Sequence, residues 1–251
     1  MKNLLAVLAL LLALGPLASA EDPPVTILAA SSLQDVFTEL EPLLEKAVEL
    51  PIRMSFDGTG VLARQLEQGA PADLLVSASK DWTDFLVEKR LVDGDDRRVI
   101  AGNRLVFIQP APHDVFVQEP ADLTRLTHIA LGDPATVPAG RYARQYLEKQ
   151  GLWDALQESI GYAGNVRAVL ALVERDEVGG GFVFATDART VTSEPGIRVS
   201  LTVDPSQHDP IVYEAAVPAR APRRVSGLKL LWALETPEAK AVFEKHGFTL
   251  P

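Results

Sequence analysis

Apolar runs rich in β-branched residues alternate with segments of helical period along the chain. The run from Val25 to Ala30 predicts a strand, and the spacing of Leu33, Val36 and Phe37 predicts the helix that follows. The same pattern predicts strands at 51–56, 72–77, 104–109, 128–132, 182–184, 197–203 and 211–217. It predicts helices at 33–50, 60–68, 82–89, 138–150, 166–176, 226–234 and 237–246. This alternation is typical of α/β units on mostly parallel sheets, and its two series suggest two lobes with a cleft between them.

The first 20 residues have the pattern of a secretory signal peptide. Lys2 gives a positive start, positions 4–14 are almost wholly apolar, and Ala18-Ser19-Ala20 provides small residues for cleavage. The chain has no cysteine, which excludes a lipid anchor on cysteine at this site. We therefore expect a soluble exported protein cleaved near Ala20, with no other apolar stretch approaching the roughly 20 residues of a membrane span.

Composition excludes several classes of function. The formal net charge is −10, and loss of Lys2 with the signal peptide leaves −11, so nucleic acid and anionic membranes are repelled at long range. The absence of cysteine excludes zinc–thiolate sites and cysteine catalysis, and the four histidines show no metal-binding or catalytic spacing. A small anion remains possible, because local backbone dipoles and hydroxyls decide its binding.

Four predicted helix starts share one chemistry. Each presents unpaired backbone N–H groups at the positive end of a helix dipole. They lie at Ser31-Ser32, at Gly58-Thr59-Gly60, at Pro138-Ala139-Gly140 and at Asn165-Val166. Gly58, Gly60 and Gly140, at two of these starts, would let a ligand approach the backbone closely. If the starts converge, they form an anion site of N–H and O–H donors without cationic side chains.

Simpler interpretations compete with a binding site at each start. Ser32 and Asp35 fit a variant of the capping box, and Ser, Thr and Asn are ordinary helix caps. Arg64 and Arg167 follow two of the starts, and we expect them to face solvent or pair with acids rather than contact a ligand. Asp57 precedes Gly58, and we expect it to point away from the site or to cap locally.

Several sequence blocks together carry a family resemblance. They are "AASSLQDVF", "FDGTGVLARQLEQGAPADLLVSAS", "GDPATVPAGRYA", "NVRAVLALVERDE" and "AVFEKHGFTL". With these blocks, the chain from about Val25 to its C-terminus resembles the periplasmic molybdate-binding proteins of molybdate ABC importers. The resemblance implies an α/β, two-lobed periplasmic binding protein fold (type II-like), in which each lobe is a mixed, mostly parallel sheet flanked by helices. It also implies a ligand held in the cleft between the lobes.

The same resemblance implies function and partners. The expected function is periplasmic capture of molybdate or tungstate and delivery to the membrane permease subunits of an ABC importer. It implies a monomer that catalyses no reaction, has no cofactor, and meets molybdenum only as the oxyanion.

The resemblance places the ligand contacts on particular residues. They fall on the hydroxyl and N–H of Ser32 and of Thr59, and on the N–H groups of Ala139 and Val166. The family's tyrosine donor falls on Phe184, which cannot donate a hydrogen bond. Candidates to replace that donor are Ser31, Tyr142, Tyr213 or a water molecule.

A site of pure donors suits a fully deprotonated tetrahedral dianion, whereas phosphate near neutral pH carries a proton and requires an acceptor.

The expected division places residues 21–102 and 218–251 in lobe one and residues 103–217 in lobe two, with hinges near Asn103 and Val217. One alternative is a binder of sulfate, phosphate or a carboxylate with the same architecture. The other is an exported hydrolase that uses Ser32 or Thr59 as its nucleophile.

Overall fold

The computed structural model describes residues 23–112, 114–193 and 195–251. The predicted signal peptide, residues 1–20, lies outside the described residues and stays a prediction. Within the described ranges, no helix combines the length and the apolar character that crossing a membrane requires.

Ten strands in the described part of the chain form two five-stranded sheets. They are β1 Val25–Ala30, β2 Ile52–Asp57, β3 Leu74–Ser77, β4 Val92–Gly102, β5 Leu105–Pro110, β6 Ile129–Gly132, β7 Ile160–Ala163, β8 Gly181–Phe184, β9 Ile197–Thr202 and β10 Val212–Pro218. The first sheet has the order β2-β1-β3-β10-β4, and the second has the order β7-β6-β8-β5-β9.

Each sheet is mixed. In the first sheet β1 runs parallel to β2 and β3, while β10 runs antiparallel to β3 and β4. In the second sheet β6 runs parallel to β7 and β8, while β5 runs antiparallel to β8 and β9. Parallel and antiparallel pairings are therefore equally frequent between the described strands of each sheet.

Helices flank both sheets, which confirms the predicted α/β class. The described α-helices are α1 Gln34–Val48, α2 Thr59–Glu67, α3 Lys80–Glu88, α4 Pro138–Lys149, α5 Trp153–Leu156, α6 Val166–Glu174, α7 Ala185–Ala188, α8 Arg224–Ala233 and α9 Pro237–Lys245. A 3-10 turn, Ser31–Leu33, joins β1 to α1. Helices α1, α2, α3 and α8 pack on the first sheet, and α4 and α6 pack on the second.

The central strand β1 shows why the apolar pattern predicted these elements well. Five of its six residues are buried, because β1 lies between two parallel neighbours and is covered by helices. The following helix buries one apolar face, formed by Val36, Phe37, Leu40, Leu44 and Val48. Burial of both faces of the strand and one face of the helix produces the two periods seen in the sequence.

Two strands were absent from the sequence-based prediction. Strand β4 has the sequence VDGDDRRVIAG and lies at the edge of the first sheet, so most of its positions are exposed or half-buried and polar. Strand β7 is a four-residue edge strand of the second sheet, with no fully buried position. Edge strands bury little apolar surface, and neither segment therefore carries an apolar period.

The chain passes between the two sheets twice. Strand β4 ends at Gly102 in the first sheet and β5 begins at Leu105 in the second, close to the expected hinge at Asn103. It returns between β9 and β10, since β10 (212–218) pairs with β3 and β4 of the first sheet. The expected division assigned residues 103–217 to the second lobe, and this assignment does not match the sheet membership of β10.

Candidate functional site

The four helix starts meet in one small pocket between the two sheets. Residues Ala30 and Asp57 are partners in the β1–β2 register and are the last residues of these parallel strands, so the helices that follow begin side by side. The starts of α4 and α6 face them from the second sheet. The lining residues are Ala30, Ser31, Ser32, Asp57, Gly58, Thr59, Ala78, Val137, Pro138, Ala139, Val166 and Phe184. All six site residues expected from the sequence are therefore placed in this lining.

Four backbone N–H groups of the lining are free to bind a ligand. The amides of Ser32, Thr59, Ala139 and Val166 donate no hydrogen bond to any residue that the structure describes. All four lie in the first turn of a helix, where no earlier helical carbonyl is available. Because they converge on one pocket, they supply donors and positive dipole ends from both sheets.

The hydroxyl of Thr59 is oriented as a donor by a neighbour behind it. The backbone N–H of Ala78, just beyond the end of β3, donates to Thr59 Oγ1 at 3.1 Å. Thr59 is fully buried and its hydroxyl donates to no described residue, so the hydroxyl proton is available to a ligand in the pocket. Ala78 was not singled out from the sequence. The convergence of parallel strand ends at one sheet edge is the signal that would have identified it.

The second hydroxyl belongs to Ser32, whose partner comes from a distant part of the chain. Ser32 Oγ lies 2.8 Å from the phenol oxygen of Tyr213 on β10, and both residues are buried. The capping-box interpretation of Ser32 and Asp35 is wrong, because no side chain caps the start of this helix. The Asp35 carboxylate instead accepts a hydrogen bond from Arg167 on α6.

No cationic side chain belongs to the pocket lining, and Asp57 is its one charged residue. Asp57 Oδ1 accepts from the N–H of Gly58 at 2.7 Å and from Asn165 Nδ2 at 3.4 Å. The local bond agrees with the turn-forming role that its position before glycine predicts. Asp57 is nevertheless one of the lining residues, and so adds a negative charge near the converging donors.

The glycines at the helix starts have a different role from the one expected. A Cβ atom on Gly60 would approach the backbone of Thr136, to whose carbonyl Gly60 donates its N–H at 2.8 Å. A Cβ atom on Gly58 would lie 2.9 Å from Gly164 O, and one on Gly140 would collide with Gly132 O. These glycines therefore allow two backbone segments to approach each other closely, rather than a ligand to approach the backbone. At Gly58 and Gly60 the two segments come from different halves of the molecule.

Aromatic rings close the pocket behind Phe184. Phe184 is buried and contacts the rings of Tyr142 and Tyr213, with centroid distances of 6.4 and 6.0 Å. Burial raises the pKa of Tyr142 to about 12. Of the three side chains expected as substitutes for the missing phenol, only Ser31 lines the pocket.

Arg167 pairs with acids and not with the pocket. Its Nε lies 2.7 Å from Asp187 Oδ1 and its Nη2 lies 2.5 Å from Asp35 Oδ2. Asp187 is fully buried and also accepts from the N–H of Phe184 at 3.2 Å. Burial raises the pKa of Asp187 to about 6, against the opposing effect of Arg167. Among the described residues, no cluster of His, Cys, Asp or Glu is arranged to hold a metal ion.

Comparisons with known proteins agree with this geometry. The family model described as bacterial extracellular solute-binding protein matches residues 25–249. The chain is 34% identical to the molybdate-binding protein ModA of Escherichia coli over 254 residues, which cover 99% of this chain and 97% of that protein. It is 33% identical to the ModA of Haemophilus influenzae over 92% of this chain and 91% of that protein. The solved periplasmic molybdate-binding protein of Azotobacter vinelandii superposes with a TM-score of 0.79 at 21% identity, covering 90% of this chain and 99% of that one.

Proposed function

Since the chain belongs to the bacterial extracellular solute-binding proteins, and within them to the family of the molybdate-binding proteins, we propose that it captures molybdate or tungstate for an ABC importer. Solute-binding proteins are transport components and not enzymes. Molybdate is therefore cargo held as the intact oxyanion, and no cofactor takes part.

The observation that carries the proposal is the composition of the pocket. Four free N–H groups and the hydroxyls of Ser32 and Thr59 face one small space, and no lysine, arginine or histidine lines it. A fully deprotonated tetrahedral dianion accepts hydrogen bonds at all four oxygens and donates none. Hydrogen bonds to a charged acceptor are about twice as strong as neutral ones, so these donors suffice without a cation.

We propose Ser32, Thr59, Ala139 and Val166 as the direct ligand contacts, as their placement in the lining supports. Ser31 is the proposed substitute for the phenol that Phe184 lacks, because Ser31 is one of the lining residues and carries a hydroxyl. Phe184 would then supply an apolar wall. Sulfate offers the same acceptors at shorter distances from its centre, so pocket size would exclude it.

Binding would require the two halves of the molecule to close. We propose that lobe one comprises the first sheet and its helices, that lobe two comprises the second, and that the crossings lie at 103–104 and 203–211. Contacts between the halves already surround the pocket, among them Gly60 N–H to Thr136 O and the ion pair of Arg141 with Asp81. A ligand bound by donors from both halves favours this closed arrangement by population shift.

Cellular context follows from the family and the N-terminal pattern. We propose that the signal peptide is cleaved near Ala20 and that the mature chain acts as a monomer in the periplasm. Its closed, loaded form would dock on the membrane permease subunits of the importer and release the oxyanion there.

Isothermal titration of metal-stripped protein with molybdate, tungstate, sulfate and phosphate tests the proposal. Molybdate and tungstate should bind with one-to-one stoichiometry and with much higher affinity than sulfate or phosphate. Stoichiometric sulfate binding with no molybdate signal would contradict the proposed ligand while preserving the oxyanion pocket.

Phosphate is the second candidate, and one specific observation favours it. Asp57 lines the pocket, and its Oδ2 accepts no hydrogen bond from any described residue, so it offers an acceptor for the proton of hydrogenphosphate.

The hydrolase alternative has no comparable support. Ser32 Oγ is bonded to a tyrosine, and no histidine is among the residues that line the pocket.

A further inference from the structure

A chain of hydrogen bonds leads from the half-buried Asn103, at the crossing between the two sheets, to the pocket. Asn103 follows the last residue of β4, and its Nδ2 lies 2.9 Å from Thr186 Oγ1 and 3.2 Å from the phenol oxygen of Tyr213. Tyr213 in turn lies 2.8 Å from Ser32 Oγ. The chain therefore links residues of both sheets to one proposed ligand contact.

The direction of the first hydrogen bond is fixed by a backbone amide. The N–H of Arg104 donates to Asn103 Oδ1 at 2.8 Å, and a backbone N–H can only donate. This assigns Oδ1 as the acceptor and Nδ2 as the donor, so the orientation of the amide is determined by its neighbours. The two protons on Nδ2 are then both used, one by Thr186 and one by Tyr213.

The direction of the second hydrogen bond follows from the first. The oxygen of Tyr213 accepts from Asn103, and its single proton has one acceptor among the described residues, Ser32 Oγ. Tyr213 is fully buried, so a proton pointed elsewhere would remain unsatisfied. Burial also raises the pKa of the Tyr213 phenol above its usual range, which keeps that proton in place.

We propose that Tyr213 is a positioning residue, which with Asn103 orients Ser32 as a hydrogen-bond donor into the pocket. Ser32 Oγ accepts from the phenol behind it, and its own proton therefore points to the ligand. Thr59 Oγ1 likewise accepts a hydrogen bond, from the N–H of Ala78, which leaves its own proton to donate. With both hydroxyls held as donors, the pocket favours an anion that only accepts. This inference rests on the proposed function.

A double-mutant cycle tests whether Tyr213 acts through Ser32. The Kd for molybdate is measured by calorimetry for wild type, Tyr213→Phe, Ser32→Ala and the double variant. We expect Tyr213→Phe to raise Kd about three- to tenfold, the usual effect of one lost hydrogen bond. In the Ser32→Ala background, the same change should raise Kd less than twofold, because no hydroxyl remains to be oriented.

Controls separate this positioning role from a general effect on packing. In the Thr59→Ala background, Tyr213→Phe should keep its full effect, since Thr59 is oriented independently by Ala78. Tyr146→Phe removes the hydroxyl of another buried tyrosine, which packs on Phe182, and should leave Kd unchanged. If Tyr213→Phe fails to fold, Asn103→Ala provides a second variant with the same expected dependence on Ser32.

The possible outcomes distinguish the hydrogen-bond relay, from Asn103 through Tyr213 to Ser32, from the proposed function. Equal effects of Tyr213→Phe with and without the Ser32 hydroxyl would overturn the relay, as would an unchanged Kd in the single variant. Failure of the wild-type protein to bind any tetrahedral oxyanion would overturn the proposed function, and the relay with it. Tight wild-type binding with additive mutations would overturn the relay alone.

Discussion

Arg167 and Asp35 join the two halves of the molecule beside the pocket, with Nη2 and Oδ2 2.5 Å apart. Asp35 lies on α1, which packs on the first sheet, and Arg167 lies on α6, which packs on the second. Arg167 directly follows Val166, and Asp35 comes three residues after Ser32. An ion pair between the two halves therefore lies within one helical turn of two proposed ligand contacts, Ser32 and Val166.

We expect Asp35→Asn to weaken molybdate binding two- to fivefold. The side chain of Asp35 is 44% exposed, and an ion pair this open to solvent contributes up to about 1 kcal/mol. The substitution removes the pair between the halves but leaves the buried pair of Arg167 with Asp187. Most of the loss should appear as faster dissociation, measured by stopped-flow fluorescence at low salt, and should shrink as salt is added.

Asp84→Asn is the matched control for this prediction. Asp84 is also a partly exposed acid, but its partners Lys80 and Arg97 lie on the same half of the molecule. The control should change stability without changing the dissociation rate. Equal dissociation rates for Asp35→Asn and wild type at low salt would show that the ion pair does not hold the halves together.

Asp187 predicts a pH-dependent component of stability. Its folded pKa of about 6 exceeds the ordinary value of 3.8, so the native state holds a proton that the unfolded state has released between these pH values. The contribution of Asp187 to the free energy of unfolding should therefore fall as pH rises from about 4 to about 6, by on the order of 2 kcal/mol, and stay constant above that range.

Urea unfolding of wild type and Asp187→Asn between pH 4 and pH 8 measures this component. Other titrating groups cancel in the difference between the two proteins, so the difference isolates the carboxyl at position 187. The stability of wild type relative to the variant should be greatest near pH 4. Parallel stability curves between pH 4 and pH 6 would contradict a raised pKa at this residue.

Local pattern was enough to predict most of the fold and the placement of the helix starts. Strand β1 and helix α1 bury continuous apolar faces, and such faces leave a period in the sequence. Strand β4 leaves none, because an edge strand is exposed and polar. The return to the first sheet before β10 was also missed, since sheet membership depends on pairing with β3 and β4 across more than 100 residues.

Side-chain partners were the part of the site that local pattern does not encode. Ser32 and Tyr213 are 181 positions apart, and no spacing rule connects them. Asp35 has the position of a capping residue but pairs with Arg167, 132 residues away. The position of Gly60 at a helix start predicts room for a ligand beside its backbone, whereas Thr136 occupies that space. In each case a long-range contact replaces the local one that the sequence favours.

Ser32→Ala and Thr59→Ala should each weaken molybdate binding by about 1 to 3 kcal/mol, the usual effect of losing one hydrogen bond to a charged partner. Both residues line the pocket and are buried, so water does not replace the lost hydroxyls easily. Titration calorimetry measures the loss. Thr38→Ala serves as the control, because Thr38 is exposed on α1 with its hydroxyl bonded to Gln34 O. Full affinity in both pocket variants would mean that the anion binds elsewhere.

Asp57→Asn separates molybdate from phosphate as the physiological ligand. The carboxylate lines the pocket and repels a dianion, while an asparagine oxygen at this position can still accept from the N–H of Gly58. We therefore expect the variant to bind molybdate about three- to tenfold more tightly, a modest gain for removing a partly screened like charge. Hydrogenphosphate should instead bind more weakly, because it loses the acceptor for its proton. Parallel titrations with the two anions near pH 8 measure both changes. Weaker molybdate binding in the variant would show that the Asp57 carboxylate stabilises bound molybdate and does not repel it.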